Sequence, residues 1–288
     1  MNYQKKPYWL KSKLPSHSAC FQVAELLKSQ KLHTVCESAR CPNLGECWQR
    51  RTATFLILGN ICTRNCGFCA VPKGKPQPLD EHEPEAVLEA VKVMGLKYVV
   101  ITSVTRDDLP DGGADIFART TRLIKDYNPE IRVEVLIPDF QGKREPLYQV
   151  LSSGPDVLNH NLETVEKIYP LINRPLSNYR RSLQVIRMAK DYGATTKSGL
   201  MVGLGETLDQ LKQAMTDLRE HGCDLLTIGQ YLQPSLKHRP VDRYYTTEEF
   251  EQLRKMALEL GFLEVVSGPL VRSSYLADRL YRSVEKTS

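Results

Sequence analysis

Ile61-Cys62-Thr63-Arg64-Asn65-Cys66-Gly67-Phe68-Cys69-Ala70 follows a β-branched run at 54–58, where a first strand would deliver a loop. Its cysteines are spaced C-x3-C-x2-C, close enough for three thiolates to converge on one face of a metal cube. The number three matters here. A structural zinc site takes four nitrogen or sulfur ligands, commonly as C-x2-C pairs, and no fourth ligand is adjacent. A four-iron cluster held by three cysteines leaves one iron open to a further ligand. A zinc knuckle and a ferredoxin-type electron carrier are the alternatives to a catalytic cluster.

A second triplet lies upstream: Cys36, Cys41 and Cys47, spaced C-x4-C-x5-C. Two incomplete cysteine sets side by side imply two clusters. The remaining cysteines, Cys20 and Cys223, read as buried, inert thiols. A net charge of +5 on 288 residues is too diffuse to point to nucleic acid. No apolar run approaches a transmembrane span, and the N-terminal MNYQKKPYWLKSKLP lacks the apolar core of a secretory signal. A cytoplasmic location is expected, where thiols bind metal or react rather than form disulfides.

Beyond the cysteines, short β-branched runs recur at 54–58, 98–102, 131–137, 157–161, 195–202 and 225–231. Helical patterns fall between them, beginning near Pro84, Gly113, Lys143, Glu163 with Tyr179, and Thr207. Pro84 suits a first helical turn, and Gly95, Gly154, Gly193 and Gly222 stand where helices should stop. Strand–helix alternation implies a parallel sheet, either open and doubly wound or a partial barrel. Polar groups end several different strands: Thr105-Arg106-Asp107-Asp108, Asn159-His160-Asn161 and Gly203-Leu204-Gly205-Glu206. A site built from many strand ends is the barrel's arrangement, whereas an open sheet gathers its contacts at one switch point. The expected fold is therefore α/β, a partial (β/α)6 barrel. It spans 51–261, with extensions 1–50, carrying Cys36, Cys41 and Cys47, and 262–288 covering its ends.

C-x3-C-x-Φ-C, with Phe68 before its last cysteine, resembles the signature of the radical S-adenosylmethionine (SAM) superfamily. That resemblance implies a 4Fe–4S cluster on Cys62, Cys66 and Cys69. Its open iron is chelated by the methionine part of SAM, and Phe68 packs near the adenine. An electron from the cluster would release a 5′-deoxyadenosyl radical. ESARCPNLGECW, residues 37–48, and Arg272-Ser273-Ser274-Tyr275 resemble the lipoyl synthase family more narrowly. TSVTRDDLPDGGA, LNHNLETV, YRRSL, KSGLMVGLGET and GQYLQPS carry the likeness along nearly the whole chain. Two local departures are Asn65-Cys66-Gly67, where bulkier basic residues are expected, and INRPLSNY at 172–179.

The family resemblance implies an auxiliary 4Fe–4S cluster on Cys36, Cys41 and Cys47. One serine of the RSSY motif would be its fourth ligand, and Ser274 is preferred to Ser273. An alkoxide matches soft iron–sulfur units poorly and would leave readily where an iron must be given up. The implied reaction inserts two sulfur atoms, at C6 and C8, into an octanoyl chain amide-linked to a carrier-protein lysine. Partners implied are octanoylated lipoyl domains of 2-oxoacid dehydrogenases, glycine cleavage H protein, ferredoxin or flavodoxin, and an iron–sulfur carrier for repair. Candidates to contact SAM are Thr102, Ser103, Asn159, Asn161 and Glu163, with helix capping the alternative for Glu163. Gly203 and Gly205 are candidates for close backbone approach, although a tight turn explains them equally. Arg106, Asp107 and Asp108 are either site residues or a loop ion pair. His160 reads as structural, and His238 with Arg239 as a candidate carrier contact. Another radical SAM sulfur-inserting enzyme and an iron–sulfur electron carrier are the rival functions. A methylthiotransferase would need an additional binding domain, and an electron carrier would need neither barrel nor polar rim.

Overall fold

The β-branched runs and amphipathic stretches become one sheet and its covering helices. The computed structural model describes residues 6–10, 18–38, 41–49 and 54–285. The strands are β1 (His33–Thr34), β2 (Thr54–Ile57), β3 (Tyr98–Ser103), β4 (Arg132–Leu136), β5 (Val157–Asn159), β6 (Thr196–Val202), β7 (Leu225–Gln230) and β8 (Glu264–Gly268). They lie in sequence order, parallel from β2 to β8, with β1 antiparallel to β2. Among the described residues nothing pairs β8 with β1, and the sheet forms a partial, open barrel.

Three helices precede the barrel repeats: α1 (Ser18–Ser29), α2 (Val35–Ser38) and α3 (Leu44–Gln49). The crossovers are α4 (Glu83–Met94), α5 (Ala114–Tyr127), α6 (Arg144–Leu151), α7 (Ser177–Asp191), α8 (Leu208–Glu220) and α9 (Thr247–Glu259), followed by α10 (Ala277–Glu285). Each crossover presents an apolar stripe to the sheet. On α5 it is Ile116, Phe117, Thr120, Thr121 and Ile124, all fully or nearly buried. Capping boxes fix two starts, Thr207 with Gln210 and Thr246 with Glu249. Pro84 opens α4, and Gly95 closes it in the left-handed conformation.

Two expectations change. A seventh parallel strand, β8, lies inside the 262–288 segment, and α9 leads into it. The expected helix at Glu163 is absent. Glu163 instead takes φ +73° and bridges Leu200, and a 3-10 turn at Glu166–Ile172 comes after it. Pro170 lies inside that turn and Pro175 follows it, and neither offers an N–H to an α-helix.

Two apolar clusters fill the space between sheet and helices. One packs β2–β5 against α4–α6, and the other packs β6–β8 against α7–α9. Polar groups occupy the barrel interior between them. Lys197 on β6 is wholly enclosed, its Nζ 2.8 and 2.9 Å from the Glu134 carboxylate on β4. Asn159 Nδ2 and Tyr98 Oη also donate to that carboxylate, each at 2.8 Å. The pair is tolerated in the interior because four hydrogen bonds meet its carboxylate's lone pairs. Burial beside this carboxylate holds the Tyr98 phenol well above its ordinary value.

Candidate active site

The 62–69 loop leaves the C-terminal end of β2 and is tied down on every side. Cys62 N donates to Pro72 O, Thr63 N to Thr105 O, Gly67 N to Ile172 O, and Arg239 N to Gly67 O. Gly67 packs closely on Ile172, since a Cβ there would sit 3.3 Å from the Ile172 backbone. A bulkier side chain at Gly67 would press on that backbone. Arg64 reaches out of the loop to two other strand ends. Its Nε and Nη2 meet Asp107 at 2.7 and 2.8 Å, and Nη2 also meets Asp139 at 2.6 Å. The guanidinium beside Asp139 holds that buried carboxyl well below the carboxylate range, against burial, the largest influence, which pushes it up. Asp107 is thus an anchor for the cysteine loop, whereas Arg106 and Asp108 form a local ion pair at 2.9 Å.

A cavity of about 610 Å³ opens at the C-terminal ends of the strands, inside the roughly 300–1,000 Å³ range of small-molecule sites. Cys62, Cys66, Cys69 and Phe68 form one side of it. Thr102, Ser103, Asn161 and Glu163 also line it. Ser103 Oγ and Asn161 Oδ1 are buried there without a hydrogen-bond partner among the described residues. Glu163, half-buried and in a left-handed backbone conformation, has its carboxyl pushed up by burial. Strain of that kind is concentrated where a side chain is aimed for a purpose. Asn159 is not in this lining, because its amide is committed to Glu134 below. Gly203 and Gly205 are not in this lining either, and Gly203 leaves room for the Gln230 side chain and the Arg243 carbonyl.

Burial pushes the thiols up, Cys69 to about 11 and Cys66 in the same direction. Such thiolates form only against nearby positive charge, which a metal cation supplies. The three sulfurs are near enough to influence one another. Still, among the described residues no three Cys, His, Asp or Glu side chains converge tightly enough to hold a single metal ion. A cluster with ligands spread over a cube is the better fit. The orphaned Ser103 Oγ and Asn161 Oδ1, three thiols and an open cavity fit a nucleoside-bearing ligand beside such a cluster.

The second triplet sits at the foot of the same region. Cys36, Cys47 and Ser274 line a small pocket of about 50 Å³ with Tyr98 and Tyr275, while Cys41, Arg272 and Ser273 face the large cavity. Burial and the neighbouring Cys41 thiol raise Cys36 to about 12. Two long-range bonds join the C-terminal segment to the N-terminal one: Tyr275 Oη to Glu46 at 3.0 Å, and Asn43 Nδ2 to Leu270 O at 2.6 Å. Gly229 admits the Val271 carbonyl, which would lie 2.1 Å from any Cβ there.

His160 is buried between Ile137 O and Ser182 Oγ, and burial lowers it to about 4. His238 Nε2 lies 3.0 Å from Cys69 O, so it braces the cysteine loop. Cys223 is fully buried, and the Cys20 side chain lies outside the described residues. Sequence reading passed over Arg64, Arg174 and the Glu134–Lys197 pair. Arg64 was inside the motif all along; the other three carry no local signal.

The open parallel barrel with its cysteine loop at the strand ends defines a radical SAM protein. The radical SAM superfamily pattern matches residues 56–218. Methylornithine synthase (PylB) superposes over 92% of this chain and 86% of its own, TM-score 0.53 at 14% identity. The hydrogenase maturase HydG of Carboxydothermus hydrogenoformans covers 93% and 78%, TM-score 0.54 at 15%. Within that class, the sequence is 56% identical to a lipoyl synthase of Rubrobacter xylanophilus over 94% of this chain and 85% of the relative. It is 54% identical to one of Caldicellulosiruptor bescii over 99% and 98%. The chain belongs to the lipoyl synthase family.

Proposed function

We propose that this chain inserts two sulfur atoms, at C6 and C8, into an octanoyl group carried on a lysine of a lipoyl-carrier protein. The observation that carries this reading is that Cys62, Cys66, Cys69 and Cys41 line one cavity, while Cys36 and Cys47 line a second pocket with Ser274 of the RSSY segment. The cofactors are SAM and two 4Fe–4S clusters, and when bound they supply the electron, the hydrogen-abstracting power and the sulfur that side chains lack.

The chain's own residues bind, orient and exclude. Cys62, Cys66 and Cys69 are the ligands of one cluster; Cys36, Cys41, Cys47 and Ser274 are those of the other. Ser274 is preferred because it shares a pocket with Cys36 and Cys47, whereas Ser273 Oγ accepts from Asn161 at 3.3 Å. Phe68, Thr102, Ser103, Asn161 and Glu163 hold the SAM molecule. Leu56, Val71, Val104 and Met201 give the alkyl chain an apolar wall and keep water from it. No base in the cavity could deprotonate an unactivated methylene, so the residues serve position rather than proton transfer.

The barrel strands run from β2 to β8, ending at Gly268, and the segments before β2 and after β8 supply the auxiliary-cluster ligands. No helix among the described residues is long and apolar enough to cross a membrane. A cytoplasmic setting, with ferredoxin or flavodoxin as donor and an iron–sulfur carrier for repair, completes the proposal. The test is anaerobic reconstitution with iron and sulfide, then reductant, SAM and an octanoyl-lysine peptide. Mass spectrometry should show one and then two added sulfurs alongside 5′-deoxyadenosine. Formation of 5′-deoxyadenosine without sulfur gain would refute the substrate or the auxiliary cluster's role.

A further inference from the structure

The turn after β7 carries the most exposed large apolar side chain among the described residues: Leu236 is 80% exposed. A single exposed leucine is ordinary on a protein surface. This one stands on a turn held by hydrogen bonds along its length and seated on the cysteine loop. Gln233 and Pro234, which lead into it, line the large cavity. His238 N donates to Ser235 O, and Lys237 N donates to Ser235 Oγ at 3.3 Å. His238 Nε2 lies 3.0 Å from Cys69 O, which can only accept, so Nδ1 accepts from the Ser235 hydroxyl at 2.8 Å. Gln233 Nε2 donates to His238 O at 3.0 Å, and Arg239 N donates to Gly67 O at 2.9 Å. His238 and Arg239, the expected carrier contacts, are thus committed to the scaffold. Leu236 and Lys237 are what the turn presents to solvent.

The charge beside this knob is one-sided. Lys237, Lys73 and Lys6 are exposed and make no ion pair among the described residues. Lys6 lines the cavity, and Lys73 Nζ reaches Cys66 O at 3.0 Å. The rim carboxylates Asp107, Asp108 and Asp139 are each already held by an arginine. We propose that the 233–239 turn is the docking surface for the acylated carrier, with Leu236 as its apolar contact. Lys237 and Lys73 then face acidic side chains that flank the acyl-lysine. This rests on the carrier reading above and names the surface it uses. A substrate borne on a lysine arm brings its protein to the cavity mouth, where the turn stands. Acylation removes that lysine's own charge, so the basic rim repels an unmodified arm and not a modified one. A preformed turn loses little freedom on docking, and the lysines speed the encounter with an acidic partner. A second copy of this chain fits poorly, since a symmetric contact would set the same lysines against each other.

The full chain with reconstituted clusters is compared as wild type, Leu236→Asp and Lys237→Glu. Each is assayed with the octanoylated lipoyl domain of a 2-oxoacid dehydrogenase and with octanoyl-lysine amide, which has no protein surface. Both variants should lower kcat/KM for the domain about tenfold, chiefly through KM, and leave the amide within about twofold. The affinity of wild type for the domain, measured by calorimetry, should fall with added salt, and less steeply in Lys237→Glu. Equal losses on both substrates would mean that the turn only braces the cysteine loop, and would overturn the proposal. No loss on the domain, or an affinity indifferent to salt, would overturn it too. Wild type that converts the amide as efficiently as the domain would overturn the docking surface while leaving sulfur insertion intact. Wild type that converts neither, while still forming 5′-deoxyadenosine, would overturn the functional reading itself.

Discussion

Replacing Arg64 by methionine should detach the cysteine loop from the barrel rim at a calculable cost. Two of its bonds go to Asp107, whose side chain is 32% exposed, so they contribute at most about 1 kcal/mol together. The third goes to Asp139, which is fully enclosed. Stripping the partner from a buried charge costs about 3–5 kcal/mol. Here Arg181 Nη1 at 3.4 Å and the Gln141 N–H at 3.0 Å remain, which reduces it to about 2 kcal/mol. The total is about 3 kcal/mol, some two orders of magnitude in the folding equilibrium. Urea unfolding of cluster-free wild type, Arg64→Met, Asp139→Asn and the double variant measures it. The double variant should be more stable than Arg64→Met alone, because the stranded charge is gone. A single-variant cost below about 1 kcal/mol, or a double variant whose losses simply add, would refute the clamp.

His160 has its folded value depressed to about 4 from an ordinary 6.5. Its contribution is present above 6.5 and is lost as pH falls from there towards 4, on the order of 3 kcal/mol in all. The urea midpoint should therefore drop through that window, and less so in His160→Asn. Gly229→Ala should cost about 1–3 kcal/mol, because Val271 O must move from 2.1 Å. Hydrogen exchange should rise at 271–275, and unchanged protection there would count against the fit. Lys197→Met strands Glu134 and should lose about 3 kcal/mol in urea titration; adding Glu134→Gln should recover much of it. If the second change deepens the loss, the buried pair is not the reason for the first.

Some features were legible along the chain because neighbours in sequence create them. β-branched runs alternating with amphipathic stretches specify strand and helix locally, and parallel order comes from their alternation. Three thiols within one short loop must be close in any fold. So the barrel, the cysteine loop, and Thr102, Ser103, Asn161 and Glu163 at strand ends could all be read directly. Asn159 shows the limit: one residue of register decides between cavity and interior, and pairing with Lys197 across β5 and β6 set it. β8 was hidden because its run, Glu264–Gly268, carries mixed polarity and is only half buried.

What only tertiary structure decided are the partnerships between distant segments. Arg64 meets Asp107 and Asp139, Tyr275 meets Glu46, and Lys197 meets Glu134. An arginine looks the same in sequence whether it is solvated, paired or waiting. Its meaning is set by what surrounds it after burial, when the dielectric falls and every charge must be answered.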